Sequence, residues 1–240
     1  MITVHADIVG SLLRPPGLLD AQKQLPGGAI TAAQFKDIED RAVDEAIALQ
    51  ETVGLRVVTD GEMRRQSFQS QMPAAVSGFG DFNLDAFLWG EWYDEHGVQK
   101  KRRPRRLGAI AKLKRLRYLS ADEFAYLKSK TSRVPKITLP SPGLWANFWS
   151  PTYSRDAYPT LDAFLADVVK VLREEVVELI RLGALYIQID APHYGLLLDP
   201  ATRRFYEGLG WSFDQWLSLG IELDNAMMKG FRDVTFGFHV

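Results

Sequence analysis

Two acidic side chains stand where short apolar runs of the sequence end. The run 55–59 stops at Asp60-Gly61-Glu62, and the run 185–189 stops at Asp190. Short runs of apolar and β-branched residues that break in this way are typical of buried strands. Ligands of parallel α/β folds bind at the carboxyl ends of the strands. We therefore interpret Glu62 and Asp190 as carboxylates that bind the amino group of a substrate.

Each carboxylate also has an ordinary structural interpretation. Glu62 lies beside two arginines, and in a solvated loop such ion pairs contribute little stability. Asp190 is placed to cap the turn that follows its strand. The strand-end position favours a binding role for Glu62. The bulky Ile187 and Ile189 next to Asp190 predict a partly desolvated carboxylate that needs a partner, and a ligand's ammonium group is one candidate.

Two histidines are further candidates for chemistry. His239 ends another apolar run, 234–238, and a lone histidine at a strand end is more often a structural residue than a metal ligand. Zinc sites need three or four ligands, and the chain has no cysteine to supply a thiolate. From the residues alone, metal binding is therefore the less favoured interpretation of His239. His193, in the loop after Asp190, receives no role.

Aromatic and basic clusters have two interpretations each. Trp145, Phe148 and Trp149 follow the predicted strand 136–139. Aromatic rings at such a place usually pack in the core but can also stack on a planar ring such as a pterin. The basic run 100–106 suggests nucleic-acid binding. Because the formal net charge is −1 and Pro104 interrupts the run, a solvated loop is the better interpretation.

The elements that position these residues alternate between strands and helices. Apolar residues at three-to-four spacing predict helices over 35–53, 161–180 and 216–228, and a capping box from Ser120 to Glu123 predicts a shorter helix. Strands are predicted around five centres, Ile8, Val57, Ile137, Ile187 and Phe236.

This alternation predicts a parallel sheet with right-handed crossovers. Polar residues at every strand end favour a (β/α)₈ TIM barrel over a doubly wound sheet: Ser11, Asp60 and Glu62, Ser141, Asp190, and His239. Five strands do not close such a barrel, which needs about three more βα units. We expect residues 1–240 to form one partial barrel domain, with an irregular insertion at about 70–133.

Composition excludes several classes of protein. The nearly neutral charge gives no reason to expect nucleic acid or a membrane surface as partner. No apolar run approaches the roughly 20 residues of a membrane helix, and the first residues lack the pattern of a signal peptide. We expect a soluble, cytoplasmic protein.

Four segments in this order resemble the cobalamin-independent methionine synthase family: 5–15 (HADIVGSLLRP), 58–65 (VTDGEMRR), 187–192 (IQIDAP) and 236–239 (FGFH). The likeness is greatest to the short, single-barrel paralogues and weakest over 70–133. It implies a TIM barrel that transfers a methyl group to a zinc-bound small-molecule thiol, homocysteine in the best-known members. The methyl donor implied is methyl-tetrahydrofolate, while a methylated corrinoid protein or a small alkylated metabolite stays open.

The resemblance also implies roles for individual residues. Gly10 and Ser11 would contact the backbone atoms of the thiol substrate, and Glu62 and Asp190 would hold its ammonium group. Trp149 would stack near the folate. His239 would be the first zinc ligand.

The chain departs from the family pattern near its end. The family places a cysteine two positions after the histidine and a glutamate, a second cysteine and a general-acid histidine later, whereas this chain ends at Val240. Ala191 replaces an acidic residue. We therefore expect a barrel truncated after its fifth strand, inactive alone and prone to self-association through its open edges.

Two other functions stay open at this point. A metal-free barrel enzyme of the uroporphyrinogen decarboxylase type would line its pocket with arginines and an aspartate. An inactive, binding-only truncated barrel would fold stably without zinc or a second chain.

Overall fold

A computed structural model of the protein describes residues 6–81 and 107–240. Its main sheet has four parallel strands in the order β1-β4-β5-β6, and an antiparallel hairpin pairs β2 with β3. The strands are β1 Val57–Val58, β2 Val76–Gly80, β3 Gly108–Arg115, β4 Val134–Pro140, β5 Tyr186–Asp190 and β6 Thr235–His239. The helices are α1 Pro16–Gln24, α2 Ala32–Thr52, α3 Gln71–Ala75, α4 Ala121–Lys130, α5 Leu161–Arg181, α6 Pro192–Leu196, α7 Pro200–Gly208 and α8 Phe213–Met228, with a 3₁₀ helix at Pro142–Phe148.

The long helices begin where the sequence provides caps. Thr31 forms a complete capping box with Gln34 at the start of α2, and the Thr160 side chain accepts the Ala163 N–H at the start of α5. Past the end of α5 the chain turns through Gly183 at a φ of 94°, which favours glycine. These helices fall where the apolar spacing predicted them.

Alternation along β4 and β5 separates a polar face from an apolar face. Ile137 and Leu139 on β4 and Ile187 and Ile189 on β5 join the apolar core, which lies between the sheet and the helices. The positions between them carry polar side chains on the opposite face. Asp190 shares that face with Gln188, so its burial does not come from the two isoleucines as the sequence suggested.

The predicted strand around Ile8 is wrong. In the described residues the segment 6–9 has no strand pairing, although it runs beside the polar face of the sheet. Its carbonyl oxygens are bound by side chains instead: Lys136 donates to Ile8 and Gln188 donates to Val9. Side chains from the sheet thus take the place of a neighbouring strand.

The region 70–133 holds the β2–β3 hairpin and α4. Helix α4 begins near Ser120 as predicted, but Ser120 makes no side-chain capping bond in the described structure and the expected capping box is wrong. Glu123 is instead bonded to Arg65 and Gln71. The basic run 100–106 lies outside the described residues.

Among the described helices, none has the length and apolarity required to span a bilayer.

Candidate active site

Polar side chains meet at the carboxyl edge of the parallel sheet. Asp190 pairs in register with Pro140 of β4 and with His239 of β6, so three strands end at one level. Glu62 follows the end of β1. The edge therefore collects the two carboxylates and the histidine that the sequence identified.

Glu62 is held by both its backbone and its side chain. Its φ of 54° is the only left-handed value at a non-glycine residue in the described chain, and such strain is common at functional sites. The Asp60 carboxylate accepts the Glu62 N–H at 2.9 Å. One oxygen of the Glu62 carboxylate accepts from the Ser11 hydroxyl at 2.6 Å and the other from the Thr138 hydroxyl at 2.7 Å.

Arg65 lies underneath Glu62 with a side chain that is only 1% exposed. Its guanidinium donates to Glu123 at 2.9 Å and to the Thr138 hydroxyl at 2.8 Å. The contact with Glu62 is longer, at 3.3 Å. Arg65 thus joins the strand-end carboxylate to a helix of the 70–133 region.

Asp190 belongs to a second chain of hydrogen bonds. Gln188 donates from one amide nitrogen to Asp190 Oδ1 and to the Val9 carbonyl oxygen, each at 2.6 Å. The amide oxygen of Gln188 accepts from the buried Lys136 at 2.7 Å, and Lys136 also contacts Asp7 at 3.0 Å. These bonds tie the segment before Ser11 to Asp190.

His239 lies beside Asp190 at the outer end of this chain. Its Nδ1 is 3.3 Å from Asp190 Oδ1, and its side chain is 46% exposed. The histidine therefore reaches solvent at the edge of the site, whereas Asp190 is largely covered.

Burial raises the pKa values of Asp60, Asp190 and Glu123. Desolvation raises the pKa of Asp60, against the opposing charge of Arg65, and one of its carboxylate oxygens has no hydrogen-bond partner in the described structure. Desolvation likewise raises the pKa of Asp190, and the nearby charge of Glu62 adds to the shift. Burial raises the pKa of Glu123 to about 7 although Arg65 opposes the shift. Burial therefore disfavours the charged forms of these carboxyl groups, and a cationic ligand would offset that cost.

Gly10 and Ser11 lie at the mouth of this cluster. Ser11 is exposed and contacts Glu62, as described above. A Cβ built on Gly10 meets no described atom within 4 Å, so the backbone there borders open space.

Trp149 lies in the apolar core rather than in the hydrogen-bonded cluster. Its side chain belongs to the buried core and its indole N–H donates to the Tyr158 carbonyl oxygen at 3.0 Å. Trp145 and Phe148 pack together there with ring centroids 4.9 Å apart. In this structure the three aromatic residues form core packing, and stacking of Trp149 on a ligand would require its segment to move.

The sequence placed two arginines beside Glu62 but missed the link from Arg65 to Glu123, and it missed three further polar residues of the cluster: Thr138, Lys136 and Gln188. A usable signal exists for these three, because polar residues at alternate positions of β4 and β5 mark a second face of the sheet that is not apolar. Arg65 gives no such signal, since its partner Glu123 is 58 residues away.

The described residues do not fit a complete zinc site. They contain no group of three or more histidine, cysteine, aspartate or glutamate side chains placed to hold a metal ion. His239 directs one ring nitrogen at Asp190 and offers at most one other to a metal. Zinc needs three or four ligands, so His239 alone does not make a site.

Comparison with known proteins gives the family. The model of the cobalamin-independent synthase catalytic domain matches residues 5–217. The chain belongs to the cobalamin-independent methionine synthase family.

Individual relatives are distant and longer. The chain is 26% identical to the uncharacterised protein YxjH of Bacillus subtilis, with 86% of this chain and 52% of YxjH covered. It is 29% identical to the 5-methyltetrahydropteroyltriglutamate–homocysteine methyltransferase of Thermosynechococcus vestitus, covering 89% of this chain and 26% of that enzyme. The chain thus spans about half of YxjH and a quarter of the second relative.

A solved structure supports the fold. A Listeria monocytogenes protein assigned to the vitamin-B12-independent methionine synthases superposes with a TM-score of 0.72 at 20% identity, covering 98% of this chain and 64% of that protein. The chain therefore forms part of a TIM barrel, and its parallel strands supply one side of it.

Proposed function

We propose that the protein transfers a methyl group to the sulfur of a small amino-acid thiol such as homocysteine. The methyl donor we propose is a methylated folate, the substrate named for the Thermosynechococcus relative. Family membership supports methyl transfer in general, and the identity of donor and acceptor is our inference from the chemistry of the site.

The observation that carries this proposal is the pairing of Glu62 and Asp190 at one edge. Glu62 lies close enough for its charge to raise the pKa of Asp190, beyond the effect of burial. An ammonium group between the two carboxylates would relieve this repulsion and replace the water lost on burial. Gly10 and Ser11 border the same space and would contact the other backbone atoms of an amino acid.

The reaction itself is a displacement at the methyl carbon. The thiolate sulfur of the acceptor forms a bond to this carbon while the bond from the carbon to the folate nitrogen breaks, and that nitrogen takes up a proton. Residues of this chain would contribute by binding and orienting the acceptor, which raises the rate by fixing the reacting atoms in line. Trp149 is proposed to lie near the folate, which requires that its ring be uncovered when the donor binds.

Zinc dependence is part of the proposal, although the described residues alone do not make a zinc site. A bound zinc ion keeps a thiol deprotonated at neutral pH. His239 is the residue of this chain proposed to bind it, and the other ligands must come from outside the described residues.

A methyl-transfer assay on the full-length protein tests the proposal. The assay follows a labelled methyl group from methyl-tetrahydrofolate to homocysteine in the wild type and in the variants Glu62→Gln and Asp190→Asn. Both variants should lose about ten- to a hundredfold in kcat/KM, since each removes a charged hydrogen bond to the substrate. Glu39→Gln is the matched control, because Glu39 is a half-buried carboxylate paired with Arg64 outside the edge cluster.

Labelled methionine from the wild type and from the control, with little from the two site variants, supports the proposal. Equal activity in all four proteins contradicts the roles of Glu62 and Asp190. No transfer by the wild type from methyl-tetrahydrofolate contradicts the proposed donor.

A further inference from the structure

Arg65 is bonded more closely to Glu123 than to the strand-end carboxylate above it. The Arg65 guanidinium lies 2.9 Å from Glu123, where two of its nitrogens face one oxygen, and 3.3 Å from Glu62. All three side chains are at most 4% exposed. Water therefore cannot share these charges, and the positive charge of Arg65 is taken up mainly by Glu123.

The Thr138 hydroxyl connects Arg65 to Glu62. This hydroxyl accepts a hydrogen bond from Arg65 Nη1 at 2.8 Å and lies 2.7 Å from Glu62 Oε1. A hydroxyl has one hydrogen to donate, and an arginine cannot accept it. The Thr138 hydrogen must therefore point at Glu62, so Arg65 fixes the direction from which Glu62 Oε1 is bound.

The same network fixes the position of Thr138 itself. Arg65 Nη2 donates to the Thr138 carbonyl oxygen at 3.1 Å, so the guanidinium holds both the backbone and the side chain of this β4 residue. The other carboxylate oxygen of Glu62 is held by Ser11. The orientation of the Glu62 carboxylate is thus set from two sides by hydroxyl groups at 2.6 and 2.7 Å, while the Arg65 cation stays at the longer distance of 3.3 Å.

We propose that Arg65 and Glu123 are positioning residues that keep the Glu62 carboxylate aimed at, and available to, the ammonium group of the substrate. Without Glu123, the Arg65 guanidinium is free to shorten its 3.3 Å contact with Glu62, and the closer ion pair would compete with the substrate. This inference rests on the proposed function, in which Glu62 binds that ammonium group.

A purely structural role makes a different prediction. If the Arg65–Glu123 pair only stabilises the fold, its loss weakens binding of every ligand to a similar extent. If the pair positions Glu62, its loss weakens the binding only of ligands that carry an amino group. The comparison therefore needs two thiols that differ by that group, homocysteine and 4-mercaptobutyrate.

The experiment measures the affinity of both thiols for the full-length protein by calorimetry, in the wild type and in Glu123→Gln. We expect Glu123→Gln to weaken the binding of homocysteine by about tenfold, the effect of losing roughly one charged hydrogen bond. The affinity for 4-mercaptobutyrate should stay within about twofold of the wild-type value. Glu39→Gln, which removes the carboxylate next to Arg64, is the matched control and should change neither affinity.

Thr138 variants provide a second arm. Thr138→Val keeps the shape of the side chain but removes its hydroxyl, and we expect it to weaken the binding of homocysteine but not that of 4-mercaptobutyrate. Thr138→Ser restores the hydroxyl and should restore the affinity. An equal loss for both thiols, or no loss for homocysteine in Glu123→Gln, overturns the positioning role.

Failure of the proposed function can be told apart from failure of this inference. A wild type that binds neither thiol contradicts the proposed function. The positioning role is then decided by crystal structures of the wild type and Glu123→Gln. It predicts that in the variant the Glu62 carboxylate leaves Ser11 and its contact with Arg65 becomes shorter than 3.3 Å, and an unmoved Glu62 overturns it.

Discussion

Arg64 and Arg65 are neighbours in the chain but lie in two different environments. Arg65 points into the edge cluster and is 1% exposed, between Glu62 and Glu123. Arg64 points outward to helix α2, where it pairs with Glu39 and Asp40 and its side chain is 14% exposed. Water can reach the ion pairs of Arg64 and replace a lost partner. It cannot reach the buried ion pairs of Arg65.

Around Arg64, several cations also share the same partners. The Tyr126 ring has Arg64 at 4.5 Å and Lys36 and Lys130 at 5.4 Å and 4.8 Å from its centre. Several cations thus share one aromatic face and nearby carboxylates. Two arginines one position apart therefore have different roles. Arg64 joins helices at the surface, where the loss of one ion pair costs little, whereas Arg65 belongs to a buried charge network in which every partner is needed.

Replacement of Arg65 should have the largest effect. Arg65→Met leaves Glu62 and Glu123 buried without their cation, and breaking a buried ion pair from one side costs about 3–5 kcal/mol of unfolding free energy. Urea denaturation of the variant and the wild type measures this loss. A loss below about 1 kcal/mol would mean that the inner network tolerates change as the outer one does.

His193 is a buried titratable group whose ring has no hydrogen-bond partner in the described structure. Its ring is fully buried, both nitrogens lack hydrogen-bond partners in the described structure, and burial lowers its pKa to about 3. The folded state therefore binds fewer protons than the unfolded state between about pH 6.5 and 3. Stability should fall as pH drops through this window, by at most about 1.4 kcal/mol per pH unit.

Denaturation at several pH values in the wild type and His193→Phe checks this expectation. The difference between the two proteins should change with pH below about 6.5 and be constant above it, where the histidine is neutral in both states. A constant difference down to pH 4 would show that the imidazole is not confined as the structure has it.

Glu123 should produce a pH dependence of the opposite sign. Burial raises its pKa from 4.5 to about 7, so the folded state binds more protons than the unfolded state between these values. Stability from this group is therefore greatest at low pH and declines as pH rises from about 4.5 to 7. Glu123→Gln should remove this decline, and an identical pH profile of unfolding in both proteins would contradict it.

The smallest effect on the free energy of unfolding is expected for Arg64. Arg64→Met should cost about 1 kcal/mol or less, because partly exposed ion pairs contribute little and Lys36 remains beside Asp40. The same urea denaturation compares it with Arg65→Met. If Arg64→Met cost as much as the inner variant, burial would not be what separates the two regions.

The sequence allowed the strand ends to be predicted but not the links between them. Glu62, Asp190 and His239 could be found because each follows a local apolar run, and alternation along a strand depends on neighbouring residues only. The bond from Arg65 to Glu123 joins positions 58 residues apart, and no local pattern reports such a pair.

The failed strand around Ile8 shows a related limit. A strand exists only when a neighbour supplies ladder partners, and here Lys136 and Gln188 bind the carbonyl groups instead. Local β-propensity does not reveal which partner a segment meets. The expected zinc ligation of His239 likewise depends on residues outside the described ranges.

The most direct test of the account is a crystal structure of the full-length protein with homocysteine bound. We predict that the amino nitrogen lies about 3 Å from carboxylate oxygens of both Glu62 and Asp190, with Ser11 beside the amino acid's backbone atoms. An amino group placed away from both carboxylates would contradict it.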